Sequence, residues 1–332
     1  MRPSLFQTRL PHGTTRCDVC QWRCELAPGE TGRCQVRQNV DGVVEYAADG
    51  WVSAATIVGI EDARMWHFFP DSQVFAVGSY GTPFPTRQSE AYTRPPTDTA
   101  PRIISPERIV ETALKRLCRG VLWTYNDPII SLEWLLDGLK FARANSRYAV
   151  IASSGLWTPE AVQVCGPYLD GLRLDMLGFS DNAYTQLGGI EEWRGILAGV
   201  ERLRETWNTH IEVTLTLRRA VNDDVEQITA LAGWIARTLG SLTPLHLLLP
   251  ANSNANVGEA MAIAREAGLH FVYGPDPQQP TRCPKCTWVT IQRNEGVTDL
   301  VEVINDSCRH CGTALGLRNS IFQRQTPYEL PE

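Results

Sequence analysis

Ten cysteines stand in the 332-residue chain, and eight of them fall into two groups of four. Cys283-Pro284-Lys285-Cys286 and Cys308-Arg309-His310-Cys311-Gly312 are two tight turns separated by 21 residues, and each aims two thiolates at one point. Together they make a closed four-thiolate set, which suits a structural Zn²⁺ because it leaves no open coordination position. His310 lies inside the second turn as a bystander. The other group, Cys17-x2-Cys20-x3-Cys24-x9-Cys34, offers four more thiols. Its spacing admits a second zinc, an iron–sulfur cluster or uncoordinated cysteines. Cys118 and Cys165 each end a helical pattern among apolar neighbours and read as core filling.

Around these groups the chain divides into three regions. Residues 1–70 form a Cys-rich N-terminal domain, residues 71–274 alternate strands and helices, and residues 275–332 hold the second cysteine group and a polar tail. Strand-like runs occur at 74–77, 121–125, 148–152, 172–177, 211–217, 245–249 and 270–273. Helical patterns fall between them at 106–119, 131–144, 159–168, 191–205, 225–239 and 257–268. Ser105-Pro106 and Thr158-Pro159 place proline at the first helical position. Such βα repeats predict a mixed α/β fold with a parallel sheet, closed in part as a TIM-like (β/α) barrel.

Function in that architecture gathers where the strands' C-terminal ends meet their loops. The loops there are polar and include Ser79-Tyr80-Gly81-Thr82, Asn126-Asp127, Ser153-Ser154 and Asp175. Alternation along 211–217 puts Glu212, Thr214 and Thr216 on one face, so the set either lines a cavity or faces an open edge. Asp127, Asp175, Glu212 and His246 are the candidate acid/base groups, provided that their geometry converges.

Composition narrows the classes. The 31 basic and 37 acidic side chains give a net charge of −6, without the basic surplus of a nucleic-acid binder. Hydrophobic residues make up 43% of the chain, yet no apolar run approaches the roughly 20 residues of a membrane span. Met1-Arg2-Pro3-Ser4-Leu5 shows no signal-peptide apolar region, so a cytoplasmic protein that meets neither membrane nor nucleic acid is expected.

Several segments, in order, carry a resemblance over nearly the whole chain. They are Cys17–Arg37 (CDVCQWRCELAPGETGRCQVR), His67-Phe68-Phe69-Pro70, Thr124-Tyr125-Asn126-Asp127-Pro128, Leu174–Ser180 (LDMLGFS) and the C-terminal cysteine turns. The chain resembles the radical-SAM proteins of the AmmeMemoRadiSam system, relatives of the pyruvate formate-lyase activating enzymes. The resemblance implies a radical-SAM barrel, a C-terminal zinc ribbon and an S-adenosylmethionine (SAM) pocket. Tyr80, Gly81, Asn126, Asp127, Ser153, Ser154 and Asp175 would lie in that pocket.

In the family, a Cys-x3-Cys-x2-Cys loop after the first barrel strand holds a [4Fe–4S] cluster. The matching positions here are Thr82, Thr86 and Ser89. Neutral hydroxyls do not replace soft anionic thiolates on iron, so no [4Fe–4S] cluster is expected in the barrel. The SAM anchors are also altered: Asp127 stands for the usual Glu, Ser154 for Asn, and Leu177 for the Lys that follows the Asp matched by Asp175. The sequence therefore predicts a degenerate, non-radical binding or accessory protein. It would hold a peptide, a small molecule or a partner enzyme, with zinc at both four-cysteine groups. The alternative is an enzyme that binds SAM, or another ligand, and reacts by a polar mechanism.

Overall fold

The structure, a computed structural model, describes residues 1–84, 86, 92, 100–251, 253–294 and 296–321. The N-terminal region has few consecutive apolar positions and folds into short strands: β1 (Arg2–Pro3), β2 (Gln7–Arg9), β3 (Thr15–Cys17), β4 (Glu25–Leu26), β5 (Arg37–Val40) and β6 (Val43–Tyr46). They pair antiparallel into two three-stranded sheets, β1-β6-β5 and β2-β3-β4.

The apolar runs of the middle region become a single sheet of eight strands. These are β7 (Ala54–Gly59), β8 (Gln73–Gly78), β9 (Gly120–Trp123), β10 (Tyr148–Ser153), β11 (Gly171–Met176), β12 (His210–Thr216), β13 (Leu245–Leu248) and β14 (Val272–Tyr273). The strands lie in sequence order, β7 antiparallel to β8 and every later pair parallel. The fold is thus mixed α/β on a mostly parallel sheet whose edges are β7 and β14. The sheet opens at Ala54, upstream of residue 71, where the sequence places the start of the middle region. Residues 54–59 are half-exposed and lack the continuous apolar run of a parallel strand, so composition does not reveal them.

Helices α1 (Pro106–Lys115), α2 (Leu132–Ala144), α3 (Pro159–Cys165), α4 (Asp181–Gly188), α5 (Gly195–Trp207), α6 (Val225–Trp234) and α7 (Val257–Glu266) follow the parallel strands. Ser105 and Thr158 cap α1 and α3 by accepting from the N–H groups of Arg108 and Ala161, each at 3.3 Å.

The two faces of the sheet are covered differently. Trp123, Ile151, Leu172, Val213 and Leu245 pack toward the helices. Val74, Ala76, Leu122, Val150 and Ala152, one residue out of phase, pack against Ile60, Met65, Phe68 and Phe69 of the segment between β7 and β8. Period-two alternation thus divides each strand between a helical layer and a plug made of the chain itself.

Beyond β14 the chain forms β15 (Thr281–Arg282), β16 (Val289–Asn294), β17 (Val297–Leu300), β18 (Val303–Ile304) and β19 (Ser307–Cys308). The N-terminal region is tied to the sheet layer by Arg37. Its guanidinium meets Glu133 of α2 at 2.6 Å and the Ile130 carbonyl at 2.9 Å, with both charged side chains buried.

Candidate binding cavity and cysteine clusters

The C-terminal ends of β8 to β13 surround a cavity of about 620 Å³. Gly81 and Thr82 follow β8, Asn126 and Asp127 follow β9, and Ser154 follows β10. The last turns of β11 and β12 contribute Arg173, Asp175, Thr214 and Thr216. Gly81 is required by both conformation and space: its φ is +105°, and a Cβ there would lie 2.6 Å from Val36 Cγ2.

Three carboxylates line the cavity, Asp62 at its exposed rim and Asp127 and Asp175 at the strand ends, and the latter two are each held by several donors. Asp127 caps the short turn 128–131, accepting from the Ile129 N–H at 3.3 Å. It also accepts from Ser153 Oγ at 2.9 Å, from the Ser154 N–H at 3.0 Å and from Ser154 Oγ. Burial pushes its pKa up, against the pull of these donors. Asp175 receives a two-pronged contact from Arg173, Nε and Nη2 each at 2.8 Å, and a third bond from Thr214 Oγ1 at 2.7 Å. Asn126 is likewise engaged, bridging the Ser79 N–H, Ser79 Oγ and the Gly81 carbonyl.

Two other cavity cations have no carboxylate within ion-pair distance among the described residues. Arg64 bonds only backbone carbonyls, those of Pro275 at 2.8 Å and Gly274 at 3.4 Å. Burial and the like charge of Arg173 lower its pKa. Arg218 is exposed at the rim. Neither Arg64 nor Arg173 is marked by a motif. Only the i, i+2 spacing of Arg173 and Asp175 on one strand face carries a signal.

Glu212 and His246 lie below the cavity and are fully enclosed. The Glu212 carboxylate accepts from the N–H groups of Trp66 (2.9 Å) and His67 (2.8 Å), and from Nε2 of His246 (2.8 Å) and of His210 (3.1 Å). Burial alone would raise its pKa, but these donors bring it well below the carboxylate range. His67 Nδ1 donates to the Leu315 carbonyl at 2.9 Å, which leaves Nε2 to accept from Tyr273 OH at 2.7 Å. Burial pushes His67 down to about 3 and lowers His210 and His246 as well. The expected polar face of β12 therefore splits: Thr214 and Thr216 line the cavity, while Glu212 anchors the plug beneath it.

Tyr80 turns toward the apolar layer under the helices and is not among the lining residues. Thr82 is buried, its Oγ1 accepting from the Phe84 N–H at 3.2 Å, and Thr86 Oγ1 donates to the Leu187 carbonyl at 2.7 Å. Ser89 lies outside the described residues. No cysteine lines the cavity among the described residues. The hydroxyls at 82 and 86, each committed to a backbone partner, do not fit an iron–sulfur cluster.

Four cysteines do come together at the C-terminus. Sγ of Cys283, Cys286, Cys308 and Cys311 all lie within 4.8 Å of one another, with Cys283–Cys311 at 3.5 Å and Cys286–Cys308 at 3.6 Å. The Thr287 N–H bonds the Cys283 carbonyl and the Gly312 N–H that of Cys308, closing the two turns. The set fits a tetrahedral metal ion. His310 stacks on Trp288 instead, with ring centroids 4.7 Å apart. Cys17, Cys20, Cys24 and Cys34 line one small space but are more widely set; among the described residues the C-terminal group alone meets the 4.8 Å spacing.

No protein-family model matches the chain. An uncharacterized protein of Methanocaldococcus jannaschii is 27% identical over 337 residues, covering 96% of this chain and 99% of that protein. Among solved structures, a domain of a pyruvate-formate lyase-activating enzyme from Bacteroides vulgatus is 19% identical at a TM-score of 0.42, over 47% of this chain and 99% of that one. A radical SAM methyltransferase from Sphaerobacter thermophilus is 15% identical at a TM-score of 0.48, over 62% of this chain and 67% of that one. The structural neighbours are radical SAM enzymes. No helix among the described residues is long and apolar enough to cross a membrane.

Proposed function

We propose that this chain is a non-radical binding or accessory protein. Its cavity at the strand ends holds a small polar molecule or the end of a peptide, and its C-terminal cysteines hold a structural zinc ion. The observation that carries this reading is the engagement of the two carboxylates at the strand ends: Asp127 receives four donors and Asp175 three. A carboxylate whose lone pairs are taken is a poor general base, so the cavity is better built to bind than to move protons. Arg64 and Arg218, with no carboxylate within ion-pair distance among the described residues, suit a ligand that carries an anionic group.

Anaerobic reconstitution with iron and sulfide, followed by calorimetric titration with SAM, tests the reading. The expected result is a cavity without a chromophore and no Asp127-dependent heat of SAM binding. Iron and a visible chromophore that survive Cys→Ser changes at 17, 20, 24 and 34 would overturn it. Tight SAM binding abolished in Asp127→Asn would favour a SAM-dependent enzyme instead.

A further inference from the structure

The N-terminal cysteines are arranged for an occupant. Cys17, Cys20, Cys24 and Cys34 come from β3, the turn after it, the approach to β4 and the loop before β5, yet all four line one space of about 10 Å³. That is at the limit of what a single water needs, and a bare metal ion is smaller. The backbone folds round this space, the Arg23 N–H bonding the Cys20 carbonyl at 3.1 Å and the Cys17 N–H the Cys24 carbonyl at 2.9 Å. The C-terminal turns are closed in a similar way, by the Thr287 N–H on the Cys283 carbonyl and the Gly312 N–H on that of Cys308. Arg33 and Arg37 complete the lining.

We propose that Cys17, Cys20, Cys24 and Cys34 form a second four-thiolate zinc site, which closes as the wider ring of sulfurs contracts on the ion. The site stands against the wall of the cavity. Trp22 Nε1 donates to the Pro83 carbonyl at 2.7 Å, and the Cys34 carbonyl lies 3.2 Å from where a Gly81 Cβ would stand. An ion here therefore braces the loop that carries Thr82. The inference does not depend on what the cavity binds.

Metal analysis of the full chain, purified reduced and zinc-replete, tests it. The expected content is about two zinc ions per chain, falling by half in Cys20→Ser and in Cys34→Ser. The paired change Cys283→Ser with Cys308→Ser should remove the other half and leave an ion at the N-terminal group. One zinc per chain, unaffected by Cys20→Ser, would overturn the proposal, and so would iron with acid-labile sulfide at these positions. If the serine variants fail to fold, alkylation of the unmodified protein decides the matter. Cys24, half-buried, should be protected until a chelator is added, and labelling at the same rate with and without chelator would overturn the site.

Discussion

Glu212 is the residue on which the interior turns. Four donors converge on one carboxylate, and two of them are backbone groups of the plug. The three histidines around it are buried with lowered pKa values, so the unfolded chain takes up protons that the folded chain refuses. Glu212 acts in the same direction, because its folded pKa lies below its unfolded one. Stability is therefore expected to be full near pH 7 and to fall steadily as the pH drops below the ordinary histidine value of 6.5 toward 4. Urea unfolding at pH 7, 6 and 5 checks this, and a pH-independent midpoint would contradict the network. Asp127 makes a second prediction at this scale. Asp127→Ala leaves the serine hydroxyls and two N–H groups facing an empty space, and should cost about 1–3 kcal/mol by chemical denaturation.

At the scale of elements, the joint between Arg37 and α2 decides whether the N-terminal sheets stay on the molecule. Glu133→Ala strands a buried guanidinium and is expected to cost about 3–5 kcal/mol, whereas the double change Arg37→Met with Glu133→Leu should cost much less. Thermal unfolding of the three proteins separates the outcomes. The elements were also where the sequence spoke most clearly. Seven strands of the sheet announced themselves as apolar runs, and Pro106 and Pro159 marked two helix starts. β7 stayed hidden because half-exposed residues give no run, and α4 because its eight residues follow β11 without an apolar stripe of their own. The candidate site was legible in its loops but not in its depth. Glu212 and His246, candidate acid/base groups by sequence, each stand two residues before a lining residue, Thr214 or Leu248. At about 3.3 Å per residue that is one full layer lower. Arg64 was not legible at all, since its place at the cavity depends on how the plug folds back under the strands.

Across the whole molecule, the sequence reading of a C-terminal metal site is matched by four sulfurs placed where they could hold one ion. This cluster is not an isolated appendage. Cys283 and Cys308 belong to the same apolar group as Trp66, Phe271 and Tyr273, so the metal turns and the sheet interior share side chains. Stripping metal with a chelator should lower the melting temperature and shift the fluorescence of buried Trp66; an unchanged emission would show the ribbon to be independent.

The plug has a consequence for how the chain comes off the ribosome. Residues 66–69 are made early, yet their backbone groups are met by Glu212 and, last of all, by Arg318, whose carbonyl accepts from the Phe69 N–H and whose N–H donates to the His67 carbonyl. Until Arg318 has been synthesised, these backbone groups lack their partners within the protein and the floor of the cavity cannot close. Closure of this floor is thus deferred until residue 318 is available, by the order of the residues alone. A nascent chain arrested at residue 300 should remain protease-sensitive throughout the sheet, whereas one extended past residue 321 and clear of the exit tunnel should become resistant in a single step.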